Sequence, residues 1–219
     1  VSGTTTLNTG SDNVSVAAVT LGEASNNFGT VTIGNAGAVT LVDADALVLG
    51  AISATSLDAT TSGNIAQSGV LALGATTLAA GAGDITLTTG TNDFTGAVAI
   101  TSGNNVAITD ANAVDFGAST ITGTFDVVAT GAVSDSGAIS AGATTVTNAG
   151  NTVILDAGND FDSINISGST VTVNDTDELD VVGVTATGAL TITTSGAITQ
   201  TGAIDADSTT SLTAGAGND

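Results

Sequence analysis

Residues 188–202 read Gly-Ala-Leu-Thr-Ile-Thr-Thr-Ser-Gly-Ala-Ile-Thr-Gln-Thr-Gly, in which apolar and hydroxyl side chains alternate between glycines. Alternation with a period of two indicates β-strands that bury one face. The part at 195–202 has counterparts at 62–69 and 130–137, so the pattern recurs along the chain. Strand runs this short, separated by Gly, Asn, Asp and Ser, leave little room for helices. We therefore predict an all-β protein built from repeats.

Three sequence markers recur in step. They are a Gly-x-Thr-Thr motif at 3–6, 74–77 and 142–145, an Asn-Asn/Asp-Phe motif at 26–28, 92–94 and 159–161, and an Asp-x-Asp/Asn motif at 43–45, 110–112 and 175–177. These markers predict one continuous unit over residues 1–219, with approximate long repeats at 3–73, 74–141 and 142–206 and a partial repeat at 207–219. Because the chain starts without Met and stops within a repeat, we expect it to be a segment of a longer protein.

The long repeats divide into units of about 20–25 residues, each long enough for about three short strands and three turns. A single coil of this kind cannot bury its own apolar face, whereas stacked coils pair every strand with its neighbours about 4.8 Å away. The sequence therefore predicts a parallel β-solenoid with about three strands per coil. Roughly ten coils would give a rod of about 48 Å.

The composition excludes several functions. The chain has 21 acidic residues and no Lys, Arg, His, Cys or Tyr, so its formal net charge is −21. Most general bases and nucleophiles are missing, and no cationic face exists for nucleic acid. Hydrophobic residues make up 42% of the chain, which favours a packed protein over a disordered one. We expect no nucleic-acid binding, no membrane insertion and no required cofactor.

Paired carboxylates can catalyse glycoside hydrolysis, and Asp43 with Asp45 or Asp175 with Asp177 are the nearest pairs in the sequence. Alternate residues of a strand share a face, so each pair could lie close together. A version of the motif recurs in every copy, however, which suits architecture better than a single active site. We therefore expect the protein not to be an enzyme.

The phrases at 101–106, 117–121, 188–201 and 214–219 resemble the tandem arrays of very large filamentous-haemagglutinin-like bacterial exoproteins. The resemblance covers essentially the whole chain. It implies a right-handed β-helix, secretion across the outer membrane, and a role in adhesion, biofilm or surface filaments. On this basis we expect an extracellular or bacterial cell-surface location.

Acidic side chains provide the candidate metal site. If the coil length varies along the chain within the range given above, five aspartates could form one column at a corner of successive coils: Asp93, Asp115, Asp135, Asp160 and Asp180. Stacked like charges repel, and calcium would relieve that repulsion because it prefers carboxylate and carbonyl oxygens. Alternatively, each Asp is a separate turn residue that bonds its own backbone. A second candidate is the segment from Gly215 to Asp219, which resembles part of a nonapeptide calcium-binding repeat.

The leading hypothesis is a structural segment of a long secreted solenoid that builds an extracellular fibre, stalk, adhesin or biofilm-matrix element. Its expected partners are further copies, associating end to end or laterally into filaments, and divalent cations. The alternative is a calcium-dependent module that binds a surface. A third hypothesis is ice binding through regular columns of Thr.

Overall fold

A computed structural model describes residues 3–7, 17–148 and 150–215 of the chain. Those residues form 22 β-strands and no helix. No helix in the described part is therefore long and apolar enough to cross a membrane. The strands are β1 (Thr4–Leu7), β2 (Val19–Leu21), β3 (Thr30–Asp43), β4 (Leu47–Thr61), β5 (Ile65–Gln67), β6 (Leu71–Ala79), β7 (Ile85–Leu87), β8 (Asp93–Phe94), β9 (Val98–Ser102), β10 (Val106–Asp110), β11 (Val114–Phe116), β12 (Ser119–Thr120), β13 (Phe125–Ala129), β14 (Val133–Asp135), β15 (Ile139–Asn148), β16 (Val153–Gly168), β17 (Val171–Asp175), β18 (Leu179–Ala186), β19 (Leu190–Thr194), β20 (Ile198–Gln200), β21 (Ile204–Ala206) and β22 (Thr210–Thr213).

The strands stack in parallel, each on the strand one coil earlier. Ile85 pairs with Ile65 below it and with Val106 above it, and each of these two steps along the chain is one coil. Between β10 and its upper partner β13 the chain passes through β11 and β12, so a coil has three sides. The result is a right-handed parallel β-solenoid of about ten coils, as the sequence predicted.

The core is a column of aliphatic side chains, because buried and outward-facing residues alternate along most strands, with breaks where the longest strands turn a corner. Val, Ile, Leu and Ala fill most of these positions with almost no exposed surface. Four of the five Phe residues are buried, whereas Phe28 is partly buried against the core. Phe116 and Phe125 meet edge to face with ring centroids 4.9 Å apart, a favourable aromatic geometry.

The Gly-x-Thr-Thr marker turns one Thr inward. Thr76 and Thr144 are each 1% exposed, and each hydroxyl donates to a glycine carbonyl two residues earlier. The acceptors are Gly74 at 3.0 Å and Gly142 at 3.4 Å. A buried hydroxyl is costly unless it is hydrogen-bonded, and this local bond allows the marker to face the core.

Glycines lie at corners where the backbone of one coil rests on the backbone of the next. The Gly131 N–H donates to the Asn112 carbonyl at 2.8 Å. A Cβ atom added at Gly131 would lie 2.5 Å from the Ala113 nitrogen and 2.7 Å from the Asn112 carbonyl carbon. Glycine is required here for close approach, since its φ is not in the left-handed region.

Candidate functional site

The five aspartates of the candidate calcium column do not stack on one another. Asp115 pairs with Ser134, and the next residue, Phe116, pairs with Asp135. The remaining register partners are Ala72 for Asp93, Ser140 for Asp160, and Ser163 and Thr199 for Asp180. None of the five is therefore the register partner of another.

These carboxylates bond to donors of a neighbouring coil rather than to their own turn. Asp115 accepts hydrogen bonds from the hydroxyls of Ser134 at 3.1 Å and Ser136 at 2.6 Å. Asp135 accepts from the backbone N–H groups of Asp156 at 2.9 Å and Ala157 at 3.2 Å. Across the described residues, no group of three or more acidic side chains is placed to hold a metal ion. Calcium binding at these aspartates stays a prediction, and Gly215–Asp219 lies outside the described residues apart from Gly215.

Two markers that are far apart in the sequence meet at one corner of the rod. The Asp110 carboxylate accepts hydrogen bonds from the Phe94 N–H at 2.7 Å and from the Asn112 N–H at 2.5 Å. The Ala111 N–H donates to the carbonyl of Asn92 at 2.8 Å. The Asn-x-Phe turn of one coil is thus bonded to the Asp-x-Asn/Asp turn of the next, and we call this arrangement the clasp.

The clasp recurs with the same bonds in the other copies of the two markers. In each copy a buried Asp accepts one hydrogen bond from the N–H of the marker Phe. It accepts a second from the N–H of the residue two positions after the Asp itself. The pairs are Phe28 at 2.7 Å and Asp45 at 3.0 Å for Asp43, and Phe161 at 2.8 Å and Asp177 at 3.1 Å for Asp175. Asp43 is 3% exposed and Asp175 is 1% exposed, so neither carboxylate opens onto a cleft shared with its neighbour. The carboxylate pairs considered for glycoside hydrolysis are therefore parts of clasps.

A fully buried asparagine completes the clasp. The Asn92 amide oxygen accepts from the Leu71 N–H at 3.0 Å, and its amide nitrogen donates to the Thr109 carbonyl at 3.2 Å. The side chain of Gln67 bonds both ends of this amide from one coil below. Sequence reasoning singled out the Asn-x-Phe marker but assigned its asparagine no role. The regular recurrence of Asn before Phe was the available signal.

Numbered along the chain by their buried aspartates, the first clasp contains Asp43, the second Asp110 and the third Asp175. In the third clasp Asn159 occupies the position that Asn92 has in the second. Its amide oxygen accepts from the Ile139 N–H at 2.8 Å. Its amide nitrogen donates to the Asp135 carboxylate at 2.7 Å, so Asp135 stands where the second clasp has Gln67. Each of these two clasps is therefore a polar network that spans three consecutive coils.

Burial raises the pKa of two clasp carboxylates, those of Asp175 and Asp110. Burial raises the pKa of Asp175 to about 6, against the opposing effect of the hydrogen bonds from the Phe161 and Asp177 N–H groups. Burial also raises the pKa of Asp110, and the nearby charge of Asp93 adds to that effect. Elsewhere, on the surface, hydrogen bonds from the Asn105 N–H and the Asn104 amide lower the pKa of Asp84. The clasps of Asp110 and Asp175 therefore hold carboxylates whose pKa values are raised, so that both protonate more readily than an ordinary aspartate.

Successive clasps lie at different corners of the rod. The first clasp comes immediately before the strand that starts at Leu47, and the second comes at the end of β10. Both strands belong to one ladder, which runs in successive coils through Leu47, Ile65, Ile85 and Val106. The second clasp therefore lies three coils above the first and one side further around.

The same displacement separates the second clasp from the third. The strand after the second clasp starts at Val114, and the third clasp ends β17. Their common ladder runs through Val114, Val133, Val153 and Val171. One long repeat thus advances three coils and one side, and equivalent residues turn by a third of a revolution from each repeat to the next.

The surface beside the second clasp is an open groove rather than an enclosed cavity. It holds about 470 Å³ and is lined by Asp93, Phe94, Asn112, Asp115 and Ser134 among others. Its carboxylates already accept hydrogen bonds, including one of 3.2 Å to Asp93 from the Asn112 amide. The groove presents mainly small and polar side chains along the rod.

The fold and its recurring clasps define a protein of the tandem-repeat β-solenoid class. A family model for repeats of unknown function, DUF5649, matches residues 1–34, 36–101, 103–167 and 168–219. The chain belongs to this repeat family. No curated protein and no solved structure matches it.

The family matches begin and end at different residues from the repeats that the sequence markers predicted. In the register of the family model, every clasp joins two consecutive matches. Asn92 lies in the match at 36–101 and Asp110 in the match at 103–167. Asn159 lies in that same match, and Asp175 lies in the next, at 168–219. The clasp is therefore the polar joint between repeats.

Proposed function

We propose that this chain is a structural segment of a large secreted bacterial solenoid protein that forms an extracellular fibre, stalk, adhesin or matrix element. The observation that carries the proposal is the unbroken parallel stacking of the described coils, with a clasp at each repeat junction. Every repeat thereby adds length without adding a new domain boundary. The resemblance to filamentous-haemagglutinin-like exoproteins supports the secreted location and the surface role.

The proposed mechanism is mechanical. A repeat that advances three coils and one side adds about 16 Å to the rod at a strand spacing of about 4.8 Å. Backbone hydrogen bonds run along the rod axis, so tension along the rod acts on many parallel bonds together. We propose that copies associate end to end by the same parallel strand pairing that stacks β22 on β19.

Length measurement tests this function directly. Proteins with four, seven and ten repeats should appear in electron microscopy as rods of constant width. Their lengths should increase by about 16 Å per added repeat. Rods that thicken or collapse into globules as repeats are added would contradict the proposal. Labelling intact cells that produce the full-length protein with an antibody to this segment tests the surface location.

The surface charge predicts how rods associate. Twenty-one negative charges on about 48 Å give roughly one charge per 2.3 Å, close to the density of duplex DNA. Rods should repel at low salt and associate laterally when divalent cations neutralise their carboxylates and bridge neighbouring rods. We expect light scattering to rise during titration with CaCl₂, but not with NaCl at matched ionic strength. Unchanged scattering at every calcium concentration would remove lateral association from the proposal.

Calcium-dependent surface binding is the second candidate. The observation that favours it is the formal net charge of −21, which no basic side chain offsets. A defined calcium site would raise the unfolding temperature in calcium relative to EDTA, whereas general screening would act equally with magnesium. Ice binding has less support. A column of Thr would have to be regular to match ice, but it is interrupted twice, by Asp58 and Ala99, in the outward-facing ladder Thr20, Thr40, Asp58, Thr77, Ala99. Absence of thermal hysteresis would contradict ice binding.

A further inference from the structure

The clasp carboxylates are buried anions in a chain without basic side chains. Asp110 and Asp175 are each 1% exposed, and their bonded partners are backbone N–H groups. A buried charge normally requires a countercharge in addition to hydrogen bonds. These two carboxylates have only amide dipoles to balance them.

The charged groups around Asp110 are also acidic. Asp93, on β8, faces it from the coil below, and Asp126, on β13, lies on the outer face of the coil above. The strand β7, which pairs with β10 from below, carries no ionisable side chain. The charge of Asp93 therefore favours the neutral form of Asp110.

The surroundings of Asp175 are similar. Asp177 is its nearest charged neighbour, and Glu178 follows in the same turn. The strand β19 above carries no ionisable side chain. The strand β16 below carries three exposed carboxylates, which belong to Asp156, Asp160 and Asp162. Here too a neighbouring charge, that of Asp177, favours the neutral form.

We propose that Asp110 and Asp175 make the repeat junctions acid-responsive, so that proton uptake at mildly acidic pH removes a buried charge and stabilises the junction. The location carries the argument, because both carboxylates bond one repeat to the next through the N–H of the marker Phe. A change at these two side chains acts on the joint between repeats. The ladder hydrogen bonds that stack the coils join backbone N–H and C=O groups, which do not titrate.

The sign of the effect follows from the raised pKa. The folded protein binds a proton at Asp175 with a pKa of about 6, whereas the ordinary value is 3.8. Between these values the folded state holds more protons than the unfolded state, so stability increases as the pH falls from above 6 towards 4. The carboxylate of Asp84, with its lowered pKa, works in the opposite direction below 3.8.

The test compares the unfolding temperature at pH 7.5 and pH 4.5 for three proteins. The unmodified chain should be more stable at pH 4.5. The control variant Asp58→Asn, which removes an exposed carboxylate of β4, should keep most of this increase. In Asp175→Asn the increase should be smaller by roughly 4–8 °C. An equal increase in Asp175→Asn and in the unmodified chain would overturn the proposal.

A measurement on the unmodified chain removes any dependence on how the variants fold. Carboxyl ¹³C chemical shifts of the folded protein, followed by NMR between pH 3 and pH 8, report each aspartate separately. We expect the Asp175 resonance to titrate with a midpoint near pH 6. The midpoint for Asp110 should lie above 3.8, the ordinary pKa of an aspartate. Midpoints of 3.8 or lower for both residues would equally overturn the proposal.

Discussion

Replacing Asn92 with alanine is expected to lower the free energy of unfolding by about 4 kcal/mol. The Asn92 amide is fully buried and is the acceptor for the Leu71 N–H and a donor to the Thr109 carbonyl. Its removal leaves these two backbone groups without partners, and each buried unpaired group costs about 1–3 kcal/mol. Chemical denaturation followed by circular dichroism measures the loss. Faster hydrogen exchange at the Leu71 amide should locate the damage at this clasp.

Asn112→Ala is the matched control, because Asn112 belongs to the same clasp but its side chain is exposed. Its amide makes a bond of 3.2 Å to Asp93, while its backbone N–H continues to bond Asp110. We expect this variant to lose about 0.5 kcal/mol or less. Equal losses in the two variants would show that the buried amide has no special role at the junction.

The clasp shows which part of this structure could be predicted from the sequence. The Asn-x-Phe and Asp-x-Asp/Asn markers were visible as regular recurrences, and strand alternation was sufficient to predict stacked coils. Their contact was not predicted, because it depends on the local coil length. The step along the chain from Asn92 to Asp110 is close to one coil of the structure, but it is shorter than the units that the sequence predicted.

Coil length also explains why the predicted aspartate column does not form. The column requires Asp115 to pair with Asp135, but the local coil is shorter than that step and Asp115 meets Ser134. The local coil is also too short for Asp160 to meet Asp180, which pairs with Ser163 instead. A shift of one residue moves a side chain to the opposite face of a strand. A spacing that is correct on average therefore cannot identify a column.

The rotation of the repeats was hidden for the same reason. The marker Phe residues at positions 28, 94 and 161 are evenly spaced, and three coils to each repeat would place all equivalent residues on one side. The observed ladders have shorter steps, so one repeat fills three coils and one further side. Equivalent surfaces consequently face three directions around the rod. If the rods associate laterally as proposed, any contact carried once per repeat is offered on every side.

Gly131→Ala is expected to destabilise the protein by about 3 kcal/mol, which corresponds to roughly 6–12 °C in Tm for a chain of this size. The new methyl group would lie 2.5 Å from the Ala113 nitrogen. The methyl carbon is bonded directly to one backbone and the nitrogen is part of the backbone stacked on it, so neither atom can rotate away. Relief would require separating two coils at the corner where Gly131 donates to Asn112, with loss of that 2.8 Å hydrogen bond. Thermal unfolding followed by circular dichroism measures the change.

Gly90→Ala provides the opposite expectation at a glycine that no coil covers. A Cβ atom at Gly90 would have no neighbour within 4 Å, and the φ of this residue is not in the left-handed region. Alanine restricts the unfolded chain more than glycine does, so Gly90→Ala should be neutral or more stable by about 0.5 kcal/mol. The two variants make the same chemical change and differ only in what the methyl group meets. If both lowered the Tm equally, close stacking at the corners would not be the reason for glycine at position 131, and intrinsic backbone preference would account for it instead.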